Sequence, residues 1–203
     1  INNETGLFSN YKKIQELLQD PFVLNGRKIN LRIYLLLICE KDNISAYIHE
    51  GGFMYYTPKY FKKNSLKTEC NITSGYVPRK IYRENPLTLI DFKKWLEKNG
   101  YNSRLLFQNI EKMFQIIMNA IADPLCNKTL KNNIKFQLFG ADVAPDENLK
   151  SKLMEINKGP DMGAKDKRDK KIKLTVQEDI YQLLGLINTG RKNGFKQIWK
   201  RYY

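Results

Sequence analysis

The chain has 203 residues, enough to bury one substantial core, so we expect one domain or two tightly packed lobes. Its 42% hydrophobic content, with 12 Tyr and 10 Phe, excludes a disordered tail, and it contains no run of about 18 apolar residues that would insert into a membrane. A net charge of +14 favours nucleic acid, nucleotide phosphates or acidic protein tails as partners, although a lysine-rich solvated surface explains it equally well.

The cysteine and histidine content excludes several kinds of site. Cys39, Cys70 and Cys126 are far apart and odd in number, so we expect neither a disulfide framework nor a zinc site, and a reducing compartment such as the cytoplasm. With His49 as the single histidine, histidine-based triads are poor candidates. The chain starts at Ile1 without a signal-peptide pattern, so we expect a processed chain or a piece of a longer one, not secretion.

The first part of the chain is predicted to be mainly β-structure. Residues 31–38 are typical of a buried strand, and residues 44–48 of its hairpin partner. The Gly51-Gly52 pair is expected to break the chain before a third stretch at 53–57. A polar, irregular segment is expected over 62–85.

Helices are predicted in the second part. A capping box at Thr88 opens the first, and an apolar stripe over 103–122 makes the second a core-packing helix. A basic loop is expected at 163–173, followed by a helix opened by a second capping box at Thr175. The C-terminal KQIWKRYY is expected to dock through its aromatics or fray. The class is α+β, an antiparallel sheet of hairpins with helices packed on one side.

The segment 136–157 is the most specific feature. Pairing its two alternating stretches around a turn at Asn148-Leu149 places Asp142 opposite Glu155, with Asn157 on the same face as Glu155. Neighbouring carboxylates repel unless a cation or a proton lies between them, and oxygen ligands suit Mg²⁺ shared with phosphates. The alternative is an acidic turn whose carboxylates form surface ion pairs.

A second polar face lies on the strand GRKINLRIYLLL. Alternation places Lys28, Asn30 and Arg32 on one side of it. An arginine on an otherwise apolar strand needs an anionic partner. That partner is either a phosphate or, in the alternative interpretation, Asp142 or Glu155.

These two segments, FGADVAPDENLKSKLMEINKGPDM and GRKINLRIYLLL, resemble the signatures of the tubulin tyrosine ligase family, within the ATP-grasp superfamily. The resemblance covers residues 1–203 but only the C-terminal half of the family's domain, without its N-terminal lobe. It implies ATP and Mg²⁺ as cofactors, with Lys28 and Arg32 at the nucleotide. It also implies magnesium ligation by Asp142, Glu155 and Asn157, with Arg32 and Glu155 as the catalytic residues.

Weaker matches extend the resemblance. IQELLQDP is similar to the family's adenine-binding hinge, which implies that Gln15 and the Leu18 backbone contact adenine. CNITSGYV resembles a segment in which Thr73 and Ser74 would bind phosphate or position an acceptor carboxylate. EINKGPDMGAKDKRD resembles the branch of the family found in large DNA viruses, and an association with virions is compatible with that.

Three positions depart from the family. Asn30 replaces an aspartate expected to hold the ribose, and Asn71 replaces a histidine. Met54 stands where the family would supply a second phosphate-binding arginine. The loss of that arginine puts the choice of acceptor, and turnover itself, in question.

The resemblance implies an ATP- and Mg²⁺-dependent ligase that adds an amino acid to a protein carboxylate through an acylphosphate. The positive charge suits an acidic acceptor such as a tubulin tail. The alternative is a non-catalytic structural or partner-binding module that retains the fold. A dedicated nucleic-acid binder ranks last, because the lysines are dispersed and no recognition module is evident.

Overall fold

The computed structural model describes residues 17–73, 78–126 and 134–203. Six strands are present in them: β1 Val23–Leu24, β2 Arg27–Cys39, β3 Asn43–Tyr56, β4 Lys135–Pro145, β5 Ser151–Asn157 and β6 Phe195–Tyr202. The helices are α1 Thr68–Asn71, α2 Leu89–Lys98, α3 Ser103–Leu125 and α4 Lys167–Leu183, with a 3-10 turn at Arg79–Arg83.

The strands form one antiparallel sheet in the order β5-β4-β2-β3-β6, and β1 pairs with β2. The long strand β2 therefore lies at the centre, flanked by β3 and β4. This arrangement confirms the predicted α+β class with an antiparallel sheet of hairpins.

One face of the sheet carries the larger core. Alternate β2 residues such as Ile29, Leu31 and Ile33 are buried there with apolar residues of α2 and α3. The α2 capping box at Thr88 is present, and the predicted α3 stripe is buried at Leu106, Ile110 and Phe114. Burying this stripe supplies most of the stability of such a helix.

The other face of the sheet is covered only in part. Tyr34 and Leu36 of β2 pack there against Val176 and Ile180 of α4. The expectation that helices lie on one side was therefore wrong. The β2 residues N-terminal to Tyr34 on this face are polar, and they line a cleft.

The glycine pair in β3 does not end the strand as predicted, since β3 runs from Asn43 to Tyr56, although its pairing with β2 shifts register between Ile48 and Gly52. A Cβ atom added to Gly52 would lie 2.3 Å from the carbonyl oxygen of Arg32 and 2.6 Å from a methyl carbon of Leu89. Glycine is therefore required here because β2 and α2 approach too closely for a side chain.

The last helix begins earlier than predicted. Much of the expected basic loop over 163–173 belongs to α4, whose N-cap is Asp166 and not Thr175. The Asp166 carboxylate accepts a hydrogen bond from the Asp169 backbone amide at 2.9 Å. This cap allows the helix to begin in a stretch that has few apolar residues. The C-terminal segment docks as β6, paired with β3.

Cys39 and Cys126 form a single disulfide, which the wide spacing and odd number of the cysteines did not predict. They lie 87 residues apart, at the ends of β2 and α3, which the fold brings together. Cys70 is free and buried. The cysteine pattern therefore no longer favours a reducing compartment.

Across residues 17–73, 78–126 and 134–203, no helix has the length and apolar character needed to cross a membrane.

Candidate functional site

The cleft on the partly covered face of the sheet has a volume of about 610 Å³. Lys28, Asn30 and Arg32 line it from β2, because alternation directs their neighbours Ile29 and Leu31 into the core. The structure thus brings the predicted β2 residues into the same cleft as Asp142 and Glu155.

The β4–β5 hairpin has the predicted pairing at its functional end. Asp142 faces Glu155, and Gly140 faces Asn157. Next to them, however, Val143 pairs with Leu153, so β5 contains one extra residue, Met154, between these pairs. Without this bulge the turn would place Asp142 opposite Met154, so the bulge is what aligns the two carboxylates.

The side chains of this hairpin form a small oxygen-rich patch. The Asn157 amide Nδ2 donates a hydrogen bond to Glu155 Oε1 at 2.8 Å, which confirms that these residues share a face. Burial raises the pKa of the Asp142 carboxyl, and the negative charge of Glu155 raises it further, against the opposing effect of Arg32. A cation placed between the two carboxylates would relieve their repulsion.

Arg32 is paired with Asp142. Its Nε donates to Oδ1 at 2.7 Å and its Nη2 to Oδ2 at 3.1 Å, and both side chains are mostly buried. This is the ion pair considered as an alternative to a phosphate partner. The Arg32 side chain also crosses Gly140, where an added Cβ would lie 3.0 Å from Nη1. Glycine at position 140 therefore makes room for the arginine.

Lys28 lies at the N-terminal end of the cleft-lining residues of β2, two positions before Asn30 and four before Arg32. It is 2% exposed, and its Nζ donates to the Leu18 carbonyl oxygen at 3.4 Å. Burial lowers the pKa of its ammonium. Thr73 also lines the cleft. Gln15 and Ser74, predicted to contact the nucleotide, lie outside the described residues.

The three departures from the family pattern have different structural consequences. Asn30 lines the cleft, as its alignment implies. The Asn71 amide is also at the cleft, and it donates to the carbonyl oxygens of Ser65 at 2.6 Å and Lys67 at 3.1 Å. Met54 is fully buried in the core on the opposite face. Position 54 is therefore not a cleft position in this chain.

Several cleft cations were missed from the sequence: Arg79, Lys165 and Lys173. Lys173 is 6% exposed, and its Nζ donates to the Gly163 carbonyl oxygen at 2.6 Å. It was missed because α4 had been assigned as a loop up to Thr175. The spacing of Asp166 and Asp169 ahead of an amphipathic stretch is the signal that would have found it.

Tyrosines form part of the cleft wall and were also missed. Tyr55 lies under the Arg32 guanidinium, whose carbon is 5.3 Å from the ring centroid. Burial raises the pKa of Tyr82 to about 12, so this phenol stays protonated at neutral pH. The Tyr55 ring covers one side of the Arg32 guanidinium.

The donor set fits a magnesium ion shared with phosphates. In the described residues no three His, Cys, Asp or Glu side chains cluster as a metal cage. The patch offers two carboxylates and one amide, and Mg²⁺ commonly uses one or two carboxylates and completes its shell with water and substrate phosphates. The five cations of the cleft, Lys28, Arg32, Arg79, Lys165 and Lys173, suit a polyphosphate.

The chain is similar in sequence to one family of known proteins. The sequence model of the Tubulin-tyrosine ligase family matches residues 9–192. The chain is 24% identical over 198 residues to the probable tubulin polyglutamylase TTLL9 of Bos taurus, covering 91% of this chain and 42% of the relative.

Two other relatives are similar over comparable stretches. Identity is 28% over 208 residues to the tubulin polyglutamylase TTLL6 of Homo sapiens, covering 92% of this chain and 23% of the relative. It is 26% over 212 residues to TTLL7 of Mus musculus, covering 91% and 23%. The chain thus spans less than half the length of each of these relatives.

Proposed function

Because the chain belongs to the tubulin-tyrosine ligase family, we propose that it is the C-terminal part of an ATP-grasp ligase. The observation that carries the proposal is the pairing of Asp142 with Glu155 in the same cleft as Arg32, with Asn157 hydrogen-bonded to Glu155. Two carboxylates and one amide would be enough protein ligands for the metal ion, because nucleotide phosphates would complete its coordination shell.

In this proposal the residues of the cleft have separate roles. Asp142, Glu155 and Asn157 would hold Mg²⁺, which would supply charge neutralisation at the transferring phosphoryl group. Arg32 and Lys28 bind phosphates. To do so, Arg32 changes from pairing with Asp142 alone to contacting both Asp142 and a phosphate. Its guanidinium is held over Tyr55 and beside Gly140, so little reorientation is needed for that change.

The proposed reaction joins an amino acid to a carboxylate of an acidic acceptor. The acceptor carboxylate takes the γ-phosphoryl group of ATP, with release of ADP, to give an acylphosphate. The donor's amino group then attacks that carbonyl carbon, forming an amide and releasing phosphate and a proton. The relatives are named as tubulin polyglutamylases, and a net charge of +14 suits a glutamate-rich acceptor such as a tubulin tail.

A non-catalytic module remains the second candidate. It is favoured by Asn30, which offers a neutral amide where the resemblance places an aspartate. Such a module would keep the cleft's shape without a requirement for magnesium.

The two candidates differ in a labelling assay. The chain, alone and with an N-terminal lobe supplied, is incubated with a glutamate-rich peptide, ATP, Mg²⁺ and a panel of labelled amino acids. We expect incorporation that requires both ATP and Mg²⁺ and falls by about 100-fold or more in Arg32→Ala, the scale of losing one preorganised donor to a developing charge. No incorporation and no nucleotide binding in either form would favour the non-catalytic module.

A further inference from the structure

A basic loop at residues 58–67 lies beside the cleft. It follows β3 and crosses the start of β2, where the Phe61 amide donates to the Gly26 carbonyl oxygen at 2.7 Å. The loop borders an open cavity of about 900 Å³. The cationic residues around this cavity are Arg27, Lys59, Lys62, Lys63 and Lys67.

Most of these cations already have partners. Lys59 pairs with Glu69 at 2.6 Å and Lys63 with Asp20 at 2.5 Å. Arg27 donates to the carbonyl oxygens of Thr57 and Pro58. Lys62 and Lys67 are exposed and form no ion pair within the described ranges. Two ammonium groups on this loop are therefore available to an external anion.

The aromatic side chains of the loop make some contacts within the protein. The Arg27 guanidinium carbon lies 4.8 Å from the Tyr60 ring centroid. Gly26, at φ +77°, lies so close to the same ring that an added Cβ would be 2.9 Å from it. Phe61 is half-buried. Tyr60 is 66% exposed, but one face of its ring is covered by Arg27. The unpaired groups of the loop are ammonium point charges, which suit the carboxylates of an acidic chain.

The loop is fixed relative to the nucleotide cleft. The Asn71 amide donates to carbonyl oxygens at both Ser65 and Lys67, and Asn71 itself lines the cleft together with Thr73. An acidic chain held by the loop would therefore reach the rim of the cleft. Asn71, which departs from the family's histidine, has a structural task in this chain.

We propose that Lys62 and Lys67 bind an acidic polypeptide segment and guide one of its carboxylates towards the cleft. The inference rests on the proposed ligase function, because it identifies where the acceptor of that reaction docks. The binding groups are two exposed, flexible lysines, so peptide binding should be sensitive to salt and of modest strength.

The test measures binding of a fluorescent glutamate-rich peptide to the chain by anisotropy. The double variant Lys62→Gln/Lys67→Gln is expected to bind the peptide about tenfold more weakly, since two exposed ion pairs contribute up to about 1 kcal/mol each. The matched control is Lys94→Gln/Lys98→Gln, which removes the same charge from exposed positions on α2. It is expected to bind nearly as tightly as the wild type.

Two results would overturn the proposal. Equal weakening in both double variants would mean that the overall field, not this loop, attracts the peptide. Tighter binding of a single-stranded oligonucleotide of equal charge, dependent on Lys62 and Lys67, would assign the loop to nucleic acid.

Titration of Mg²⁺-ATP on the same variants separates this inference from the ligase proposal. We expect nucleotide affinity to be unchanged in Lys62→Gln/Lys67→Gln. Peptide binding that depends on the loop, without any nucleotide binding, would leave the docking surface in place and reject the ligase. Nucleotide binding, together with peptide binding that does not depend on Lys62 and Lys67, would keep the ligase proposal and reject the docking surface.

Discussion

The position of Met54 leads to a prediction that separates two interpretations of this chain. By resemblance, an arginine here would restore a lost phosphate contact. In the structure the Met54 side chain is fully buried in the core that contains Leu89 and Phe92. Met54→Arg would therefore place an unpaired cation in an apolar environment instead of in the cleft.

The expected cost can be worked out from this burial. An uncompensated buried charge costs several kcal/mol, so we expect Met54→Arg to lower the free energy of unfolding by about 4 kcal/mol. That is a large part of the ~5–15 kcal/mol that stabilises a typical domain. At about 2–4 °C per kcal/mol for a chain of this size, the melting temperature should fall by roughly 8–16 °C.

Urea denaturation followed by circular dichroism would measure this loss. Met54→Leu, which keeps the volume, should cost less than about 1.5 kcal/mol. Ile72→Arg introduces the same charge at a half-exposed position on the cleft and should change stability by about 0.5 kcal/mol or less. A stable Met54→Arg variant that binds Mg²⁺-ATP more tightly than the wild type would refute this reasoning.

Three further predictions concern stability and pH. Asp179→Ala should cost about 3–5 kcal/mol in urea denaturation, since this fully buried carboxylate accepts from His49 at 2.9 Å and from the Gly194 amide at 2.8 Å. Glu178→Ala, at the exposed neighbouring position, should cost at most about 1 kcal/mol. Equal losses in the two variants would contradict the structural role of the buried Asp179 carboxylate. Gly52→Ala should lower the melting temperature clearly, whereas Gly159→Ala, with no atom near its added Cβ, should not. Because the pKa of Asp142 is raised, this carboxylate should become protonated at a higher pH than an ordinary aspartate. As the pH is lowered in Mg²⁺ titrations, Mg²⁺ affinity should therefore start to fall before the pH range of an ordinary aspartate is reached. An affinity that stays constant down to that range would contradict this prediction.

Local patterns predicted the parts of the site that lie on one strand or one hairpin. Alternation correctly grouped Lys28 with Arg32, because the period of a strand is set by the backbone. The pairing of Asp142 with Glu155 was also correct, although the bulge at Met154 that produces it has no clear sequence signal. A register error of one residue would have turned one carboxylate away from the cleft.

The remaining features depend on contacts between distant segments. The requirement for glycine at position 52 comes from Leu89 and from the backbone of Arg32, neither of which the local sequence specifies. The disulfide joins residues 87 positions apart. Lys173 reaches the cleft because α4 crosses the sheet, and this crossing could not be read from the composition of its first turns.

The pairing of Arg32 with Asp142 shows how the cleft can be stable without a ligand. Both groups are mostly buried, and each satisfies the other's charge. A nucleotide with its metal would offer each of them a stronger partner of opposite charge. Such an exchange would make the two interpretations of Arg32 that the sequence left open compatible with each other.

We propose that Glu155 binds a metal ion that nucleotide binding requires. Calorimetric titration of ATP, with and without Mg²⁺, on the wild type and Glu155→Gln tests it most directly. The control is Glu147→Gln, the same substitution at an exposed position in the turn of the same hairpin.

With an N-terminal lobe supplied, we predict that the wild type binds ATP only with Mg²⁺. Glu155→Gln should lose about tenfold or more in affinity, as judged from the losses that follow changes around metal ligands, and Glu147→Gln should lose none. Equal ATP affinities with and without Mg²⁺, in both the wild type and Glu155→Gln, would contradict the account and leave the non-catalytic module.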